Sequence, residues 1–267
     1  MPELPEVESV RRQLDPELSG RVVEDVWYDP HPALPRQFQG LERLPGRKVA
    51  RVDRRGKFLI SPLDEGLELV MHLGMTGAFR FGYDDPHVRA RMWLDDGREL
   101  AFRDARRFGR LALVEAGRYE AIPTLARLGP EPLSDEFDPN RFVSALKRTN
   151  SPVKPFLLSQ RPVAGVGNIY ADEALWLARI HPSSRRVGPR RALALHDAIR
   201  RVLSDAIERE GTTFRDFQMV GGEAGRNASF LVAYGRAGSA CPRCGSLLKR
   251  IVLGGRSTTF CPRCQRN

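Results

Sequence analysis

The 267-residue chain has no apolar run that approaches the length of a membrane span. Its charged N-terminus also lacks the apolar segment of a secretory signal, and no internal repeat is visible. These absences predict a bacterial-type cytosolic protein that spans no membrane. With 41% hydrophobic residues the chain is not a disordered tail, and its length allows two domains or one large one.

Lysine is scarce, since only five of the 43 cationic residues are lysines. The formal net charge of +10 nevertheless predicts a polyanionic partner, because clustered cations gain affinity by releasing counterions from phosphates. Nucleic acid is the first expectation and an acidic membrane surface the second. The arginine share itself carries little weight, because a GC-rich coding bias would also enrich arginine.

The N-terminal half predicts a helix followed by a β-sandwich. Leu4, Val7, Val10 and Leu14 recur at helical spacing, in a helix that ends before Gly20. Short β-type runs with turn signals between them then predict an eight-stranded sandwich or flattened barrel. The predicted strands cover 22–28, 48–53, 57–61, 67–72, 77–82, 89–94, 98–103 and 109–114.

The second half predicts a helical domain. The segment 128–132 has two prolines and a glycine and indicates a domain boundary. Apolar spacing beyond it predicts four helices, at 139–148, 152–160, 168–179 and 189–210. The polar, glycine-rich segment 212–234 is typical of a functional lid or a disordered loop. We predict an α+β multidomain chain with domains at 1–130, 131–234 and 235–267.

All four cysteines fall in one pattern, C-x2-C-x16-C-x2-C, which is typical of a tetrahedral zinc site. A closed site with four thiolate ligands is structural, and disulfides are not expected in a cytosolic chain. We therefore predict one structural Zn²⁺ on a β-hairpin, with the ligands Cys241, Cys244, Cys261 and Cys264.

The chain begins Met1-Pro2-Glu3, so removal of Met1 would leave a prolyl secondary amine beside a carboxylate. A terminal amine titrates near 7.7–8.0 and lysine near 10.4, so far more of the terminal amine is neutral and nucleophilic at neutral pH. The alternative is that Pro2 and Pro5 only open the first helix. A second candidate is the glycine turn before Asn168, where a helix N-terminus can bind a phosphate, although it can also be simple turn chemistry.

Motifs along the whole chain resemble formamidopyrimidine-DNA glycosylases, the bacterial enzymes that remove oxidised purines and then cut the strand. The matching segments are Pro2–Glu8, Arg54–Phe58, His72–Gly77, Arg106–Gly109, Val166–Glu173, Gly211–Thr213, Tyr234–Arg236 and the four-cysteine finger. The resemblance implies a β-sandwich domain, a helix–two-turn–helix domain and a zinc finger. It also implies damaged double-stranded DNA as the partner of a monomer in the bacterial cytoplasm, at the nucleoid.

The resemblance implies that Pro2 attacks the sugar of a flipped nucleotide and that Glu3 is its acid/base partner. Lys57 and Arg263 match residues that contact phosphate and assist this chemistry. The other positions matched to DNA contacts are His72, Arg110, Lys154, Asn168 and Tyr234. A solvated Lys57 and a core His72 are the competing interpretations.

Three further positions match the residues that fill the gap left by the flipped base, namely Met75, Arg106 and Phe108. The chain departs from the family at Ala105, where the pattern commonly has proline. Two alternatives remain at this point. One is the endonuclease VIII type, which prefers oxidised pyrimidines, and the other is a non-catalytic zinc-ribbon protein that binds nucleic acid.

Overall fold

The computed structural model describes residues 2–214 and 217–267, which form two compact units. The first unit contains Met1–Ala126 and Arg209–Ala228, and the second contains Arg127–Glu208 and Ser229–Asn267. Met1, whose removal the chemistry of Pro2 would require, lies outside the described residues. So do Arg215 and Asp216 of the segment 212–234.

The first unit opens with the predicted helix, α1, which spans Leu4–Leu18. Pro5 in its first turn costs no hydrogen bond, since the first N–H groups of a helix have no partner within it. Its apolar face is fully buried, with Val7 and Leu14 at 0% exposure. The helix ends at Ser19, and Gly20 follows with a φ of +83°.

Among the described residues of the first unit, ten strands follow α1. They are β1 (Val22–Tyr28), β2 (Phe38–Gln39), β3 (Arg47–Lys48), β4 (Asp53–Arg55), β5 (Phe58–Pro62), β6 (Leu67–His72), β7 (Ala78–Phe81), β8 (Val88–Leu94), β9 (Glu99–Arg103) and β10 (Arg110–Glu115). One sheet has the order β3-β1-β8-β9-β7 and the other β2-β10-β6-β5-β4. All pairs are antiparallel except β2 with β10.

The architecture of a helix plus a β-sandwich is confirmed, but the strand count is ten where eight were predicted. The predicted strand 48–53 is two short strands, β3 and β4, in different sheets. The two-residue strand β2 had no counterpart in the prediction. Strands of two or three residues are too short to show an alternation of apolar and polar side chains, so the sequence pattern could not resolve them.

The core of the first unit lies between the two sheets and α1. The later segment Arg209–Ala228 contributes to this same core through Phe217, Met219 and Val220, each at most 8% exposed. The short helix α2 (Pro123–Ala126) closes the continuous part of this unit. The first unit is therefore built from two separate stretches of the chain.

The second unit is helical and carries a two-stranded hairpin. Its elements are α3 (Pro139–Arg148), α4 (Val153–Leu158), α5 (Asn168–Leu177), α6 (Pro189–Glu208), β11 (Lys249–Leu253) and β12 (Arg256–Phe260). All four predicted helices are present. Three end two residues before the predicted limit, because Gln160, Arg179 and Glu210 have left-handed φ values of +62°, +57° and +63°. Across the described ranges no helix is both long and apolar enough to cross a membrane.

Candidate functional site

The start of α1 is fixed by a buried carboxylate, Glu6. Its Oε2 accepts a hydrogen bond from the backbone N–H of Glu3 at 2.7 Å. Its Oε1 accepts one from the N–H of Thr212 at 2.6 Å. Pro2 is buried, and Glu3 and Glu6 are only 2% and 1% exposed. Glu6 thus holds the backbone next to Pro2 in one position.

The described part of the segment that follows Gly211 is tied to α1 and to itself. Gly211 has a φ of +79°, and a Cβ there would lie 2.8 Å from Glu6 Oε1, so only glycine fits. Asn227 donates to the Thr212 hydroxyl at 2.9 Å, and Val220 N–H donates to Gln13 Oε1 at 2.7 Å. The part of the predicted lid that belongs to the first unit is therefore anchored to α1 at Val220 and to itself at Asn227.

The loop that carries Lys57 is held to α1 through an arginine. Arg54 Nε donates to Glu8 Oε2 at 3.1 Å, and Arg54 Nη1 donates to the Gly56 carbonyl at 3.0 Å. Burial opposes the ionisation of Glu8, but the guanidinium groups of Arg11 and Arg54 lower the pKa of this carboxyl. Lys57 itself is 8% exposed, between Gly56 and β5.

Sheet register places His72 between Phe58 of β5 and Arg110 of β10. The rings of His72 and Phe58 are 4.6 Å apart. Burial, together with the charges of Lys57 and Arg110, lowers the pKa of His72 to about 4. The neutral ring accepts a hydrogen bond on Nδ1 from Gly74 N–H at 3.1 Å, so its proton is on Nε2. His72 therefore presents an N–H donor next to two cationic side chains.

The loops 73–77 and 104–109 are fastened together by Asp104, which is 0% exposed. Its Oδ1 accepts from the Thr76 hydroxyl at 2.6 Å, and its Oδ2 accepts from Gly109 N–H at 2.7 Å. The Thr76 oxygen in turn accepts from Arg106 N–H at 3.1 Å. A Cβ at Gly74 would lie 2.4 Å from the Phe108 carbonyl carbon, so the backbones of the two loops are in direct contact.

These fastened loops present the three predicted gap-filling side chains. Phe108 is 53% exposed, which is unusual for a large apolar residue, and Met75 is half-buried. The Arg106 guanidinium lies 4.8 Å from the centre of the Phe108 ring. Arg107 adopts a φ of +54° and forms an ion pair with Asp29. The structure thus brings Met75, Arg106 and Phe108 to one pair of loops.

In the second unit, Asn168 and Lys154 both donate to the Ser257 carbonyl of the hairpin, each at 3.1 Å. Lys154 is fully buried, and its ammonium group also contacts Asp172 Oδ1 at 2.7 Å and Thr258 Oγ1 at 2.9 Å. Three partners inside the protein therefore hold the ammonium group that the sequence predicted as a DNA contact. Burial raises the pKa of Asp172 to about 6, although the charge of Lys154 opposes this.

Tyr234 is positioned by a neighbouring acidic residue of α5. The Glu173 carboxylate accepts from the backbone N–H groups of Val232, Ala233 and Tyr234 at 2.8–3.0 Å. Glu173 is 5% exposed, so these hydrogen bonds replace the water that the carboxylate has lost. The chain leading into the hairpin is thereby fixed to α5.

The four cysteine sulfurs lie within 4.8 Å of one another and fit one zinc ion. Zn–S bonds of about 2.3 Å in a tetrahedron place sulfurs roughly 3.8 Å apart, and the Cys244 and Cys261 sulfurs are 3.5 Å apart. Hydrogen bonds from Ser246 lower the pKa of Cys244 to about 6, which favours the thiolate that a metal needs. The site is a structural zinc site, and Arg263 between its last two ligands is exposed.

The zinc-binding hairpin is attached to α5 by Arg243. Its guanidinium lies 4.1 Å from the Trp176 ring and donates to the Trp176 carbonyl at 3.1 Å. A cation at the C-terminal end of a helix is also favoured by the helix dipole. Trp176 packs in turn against the cysteine cluster.

Sequence reasoning missed several residues that position the site, and they share one property. They are buried polar groups beside predicted site residues, namely Glu6, Thr76, Asp104, Asp172 and Glu173. Their signal was present, because each stands within or directly beside a matched motif. A carboxylate next to glycine-rich turns is a natural acceptor for the backbone N–H groups that such turns leave without partners.

Family models of known proteins match most of the chain. The family model for the formamidopyrimidine-DNA glycosylase N-terminal domain matches residues 1–111, and that for its H2TH domain matches 128–218. A zinc finger found in FPG and IleRS matches 238–267. A curated relative named formamidopyrimidine-DNA glycosylase from Deinococcus radiodurans is 46% identical, over 99% of this chain and 97% of its own length.

Solved structures agree with this assignment. The crystal structure of the MutM (Fpg) protein from Thermus thermophilus has a TM-score of 0.93 at 46% identity, covering 99% of this chain and 98% of that one. A Lactococcus lactis Fpg mutant in complex with Fapy-dG containing DNA has a TM-score of 0.91 at 34% identity, with both chains fully covered. A MutM complex with carbocyclic 8-oxo-G containing DNA has a TM-score of 0.89.

Proposed function

The chain belongs to the formamidopyrimidine-DNA glycosylase family, and from that membership we propose that it excises oxidised purines from duplex DNA and then cuts the strand. The substrates are formamidopyrimidines and 8-oxoguanine, since Fapy-dG and 8-oxo-G are the lesions held by its structural relatives. The observation that carries the catalytic proposal is the buried Pro2–Glu3 pair, whose backbone Glu6 fixes.

In the proposed mechanism the neutral secondary amine of Pro2 attacks C1′ of the flipped nucleotide. The bond from C1′ to the base breaks, the base leaves with a proton, and the sugar ring opens to give an iminium ion. This cation acidifies the C2′ proton, whose loss expels the 3′ phosphate, and a second elimination expels the 5′ phosphate. Glu3 is placed to donate and accept the protons of these steps, because it lies beside Pro2 in a site with little water.

The groups proposed to bind phosphates are donors and cations in each unit. In the first unit they are Lys57, His72 and Arg110. The register of β5, β6 and β10 places His72 opposite Phe58 and Arg110, and Lys57 directly precedes Phe58, so the three lie at the same end of these strands. In the second they are Asn168, Tyr234 and the exposed Arg263, and Arg263 is also proposed to assist the chemistry. We propose that Lys154 acts indirectly, by holding the Ser257 carbonyl that Asn168 also contacts.

The loops fastened by Asp104 are proposed to enter the DNA stack where the damaged base leaves it. Phe108 and Met75 supply apolar surface that replaces lost stacking, which costs a few kcal/mol if nothing fills the gap. Arg106 supplies N–H donors toward the orphaned base. Cytosine offers the acceptors O2 and N3 to the N–H groups of this guanidinium, so we expect lesions opposite cytosine to be preferred.

We also propose the functional division of the chain that the sequence predicted, although residues 209–228 pack in the first compact unit and the finger belongs to the second. Residues 1–130 form the catalytic domain, 131–234 the helix–two-turn–helix domain with a lesion-covering segment at 212–234, and 235–267 the zinc finger. The three family-model matches support this division. We propose that the protein acts as a monomer on DNA, in the bacterial cytoplasm at the nucleoid.

Borohydride trapping tests the nucleophile. Reduction of the iminium ion should join the protein covalently to a duplex with one 8-oxoguanine, and peptide mapping should locate the bond at Pro2. A protein that retains Met1 has no free prolyl amine and should give no adduct. As a matched control, Lys48→Ala removes an exposed lysine outside the site and should trap normally. Undiminished trapping by the Met1-retaining protein would place the nucleophile elsewhere, with Lys57 the first candidate.

Single-turnover incision tests the substrate class and the role of Arg106. Matched duplexes carry 8-oxoguanine opposite cytosine or adenine, or an oxidised pyrimidine. Arg106→Ala should reduce the preference for cytosine over adenine about tenfold, which is near the lower limit of the discrimination that one good base contact provides. The rate of cutting at a preformed abasic site should change much less. The control is Arg118→Ala, an exposed arginine paired with Glu115. Faster cutting of the oxidised pyrimidine than of the purine lesions would instead identify an endonuclease VIII activity.

A further inference from the structure

The second unit contains a groove that takes no part in the proposed mechanism. It lies between the C-terminal end of α3 and the loop before α6, and its volume is about 720 Å³. None of its lining residues is among the proposed DNA contacts or zinc ligands. This volume is within the range of sites that hold small ligands or a few peptide side chains, roughly 300–1,000 Å³.

The floor of the groove is apolar and its rim is cationic. Leu146 and Val187 are buried at 2% and 9% exposure, and Val143 is half-buried beside them. Lys147, Arg185 and Arg186 line the rim, and all three are exposed. Arg185 Nη1 donates to the Asn150 carbonyl at 2.6 Å, which ties the two walls of the groove together.

No acidic residue of the neighbouring sequence neutralises this rim. The segments 139–150 and 183–191 together contain seven cationic residues and no aspartate or glutamate. The described residues provide no salt bridge to Lys147, Arg185 or Arg186 at distances up to 4.0 Å. The rim therefore attracts anions, with several positive charges around an apolar depression.

We propose that this groove binds an acidic peptide segment of a partner protein, with one large apolar side chain on the floor and carboxylates on the rim. The apolar floor favours a peptide over DNA. A DNA backbone presents phosphates and sugars, which gain nothing from Leu146, Val143 and Val187, whereas a leucine or phenylalanine side chain gains free energy by leaving water there. Guanidinium groups bind carboxylates in two-point contacts, which suits Arg185 and Arg186.

The test uses the full-length protein and a fluorescein-labelled ten-residue peptide with four aspartates and one phenylalanine in a Gly-Ser background. Fluorescence anisotropy at 150 mM salt should give a Kd on the order of 10 μM, typical of a short linear segment. Arg185→Glu/Arg186→Glu should weaken binding at least about tenfold, because two attractions become repulsions. A peptide with serine in place of phenylalanine should bind at least about fivefold more weakly.

The matched control is Arg118→Glu/Arg201→Glu, which makes the same charge change at two exposed arginines outside the groove. It should bind the peptide as the unaltered protein does. Both double variants should remain folded, with only a small decrease in melting temperature where Arg185 no longer donates to the Asn150 carbonyl. A duplex with an abasic-site analogue should not displace the peptide. Equal losses in both variants, or no preference for phenylalanine, would overturn the proposal in favour of nonspecific charge. Displacement by the duplex, with parallel loss of DNA affinity in Arg185→Glu/Arg186→Glu, would assign the groove to DNA.

Discussion

Thr76 joins two loops through a single hydroxyl group, which donates to Asp104 and accepts from Arg106 N–H. Each loop carries side chains proposed to enter the DNA stack, so their relative position depends on this buried oxygen. An unsatisfied buried partner costs about 1–3 kcal/mol, and both Asp104 Oδ1 and Arg106 N–H would lose theirs without it. The effect should fall on the placement of Arg106 and Met75 more than on the chemistry at Pro2.

Thr76→Val tests this, because valine has nearly the shape of threonine without the hydroxyl. We expect excision of 8-oxoguanine opposite cytosine to slow about tenfold, equivalent to about 1.4 kcal/mol, and cutting at a preformed abasic site to change much less. Thr76→Ser keeps the hydroxyl and should restore most of the rate. Single-turnover incision measures both. Equal slowing of both reactions by Thr76→Val, or failure of serine to restore the rate, would show that the hydrogen bond does not position the loops.

The lowered pKa of His72 predicts how the free energy of unfolding depends on pH. Its pKa in the folded protein is about 4, below the ordinary value of 6.5, so the unfolded chain binds the proton more tightly. Stability should therefore fall as the pH drops from 6.5 toward 4, by about 2 kcal/mol at pH 5 from this group alone. In His72→Gln this part of the loss should be absent. Urea unfolding at pH 7 and pH 5 compares the two proteins, and identical pH dependence would contradict the assignment.

At the scale of single residues, the sequence predicted candidate site residues but not how their side chains are held. The cysteine set was readable from spacing alone, and the match of the zinc-finger family model and the sulfur geometry support it. Lys154 shows the limit of motif matching, since its position in a motif could not reveal that Asp172 and two hairpin oxygens surround its ammonium group. Partners far apart in the sequence follow from packing, which no local pattern records.

Among the elements, the turn at Asp104–Arg107 contains Ala105, at a position where the resemblance implies proline. Arg107 N–H donates to the Asp104 carbonyl at 3.4 Å, so Ala105 is the second residue of a β-turn, a position that proline favours. None of the described residues accepts a hydrogen bond from Ala105 N–H. Proline would therefore remove no contact from this element.

We expect Ala105→Pro to stabilise the protein by about 0.4–1 kcal/mol, because proline reduces the freedom of the unfolded chain. Urea unfolding measures this change, and the gap-filling residues should keep their positions, so excision should not slow. Ala121→Pro, at an exposed position in another turn, serves as a comparison for a general effect of added proline. Destabilisation by Ala105→Pro would show that this turn requires a backbone angle that proline does not allow.

The boundaries of the helices and strands show which elements a local sequence pattern can predict. The long helices were predicted to within two residues, since α1, α3 and α6 each have an apolar face. Helix α5 differs, because it is buried continuously from Ile169 to Leu175. The strands β2, β3 and β4 were missed or merged, because two or three residues carry no period. The burial of Phe217, Met219 and Val220 was not foreseen either, since the segment 212–234 is rich in glycine and polar residues.

For the whole molecule, the zinc site predicts how the two units respond to metal removal. Zinc holds the hairpin that Asn168, Lys154 and Asp172 contact, so its loss should disorganise the second unit's proposed phosphate contacts. The core of the first unit contains none of the cysteines. Chelation should thus abolish DNA binding while leaving that core folded.

Hydrogen exchange with and without a chelator, together with gel-shift titration on an abasic-site duplex, tests this expectation. Residues 238–267 and α5 should lose protection, and β5, β6 and β10 should keep theirs. Cys244→Ser should behave like the chelated protein. Retained DNA affinity after complete removal of zinc would show that the finger is not needed for binding.

The bond from Glu6 to Thr212 spans 206 residues of sequence and has a consequence for protein synthesis. The ribosome makes the proposed catalytic residues Pro2 and Glu3 early, yet the unit that contains them lacks Phe217, Met219 and Val220 until about 220 residues have been translated. At about 5–20 residues per second, the residues up to Glu208 are added during the roughly 4–16 s after Ala126. A nascent chain thus holds Pro2 in an incomplete first unit, so we expect it to acquire the proposed strand-cutting chemistry only after residues 209–228 have been made.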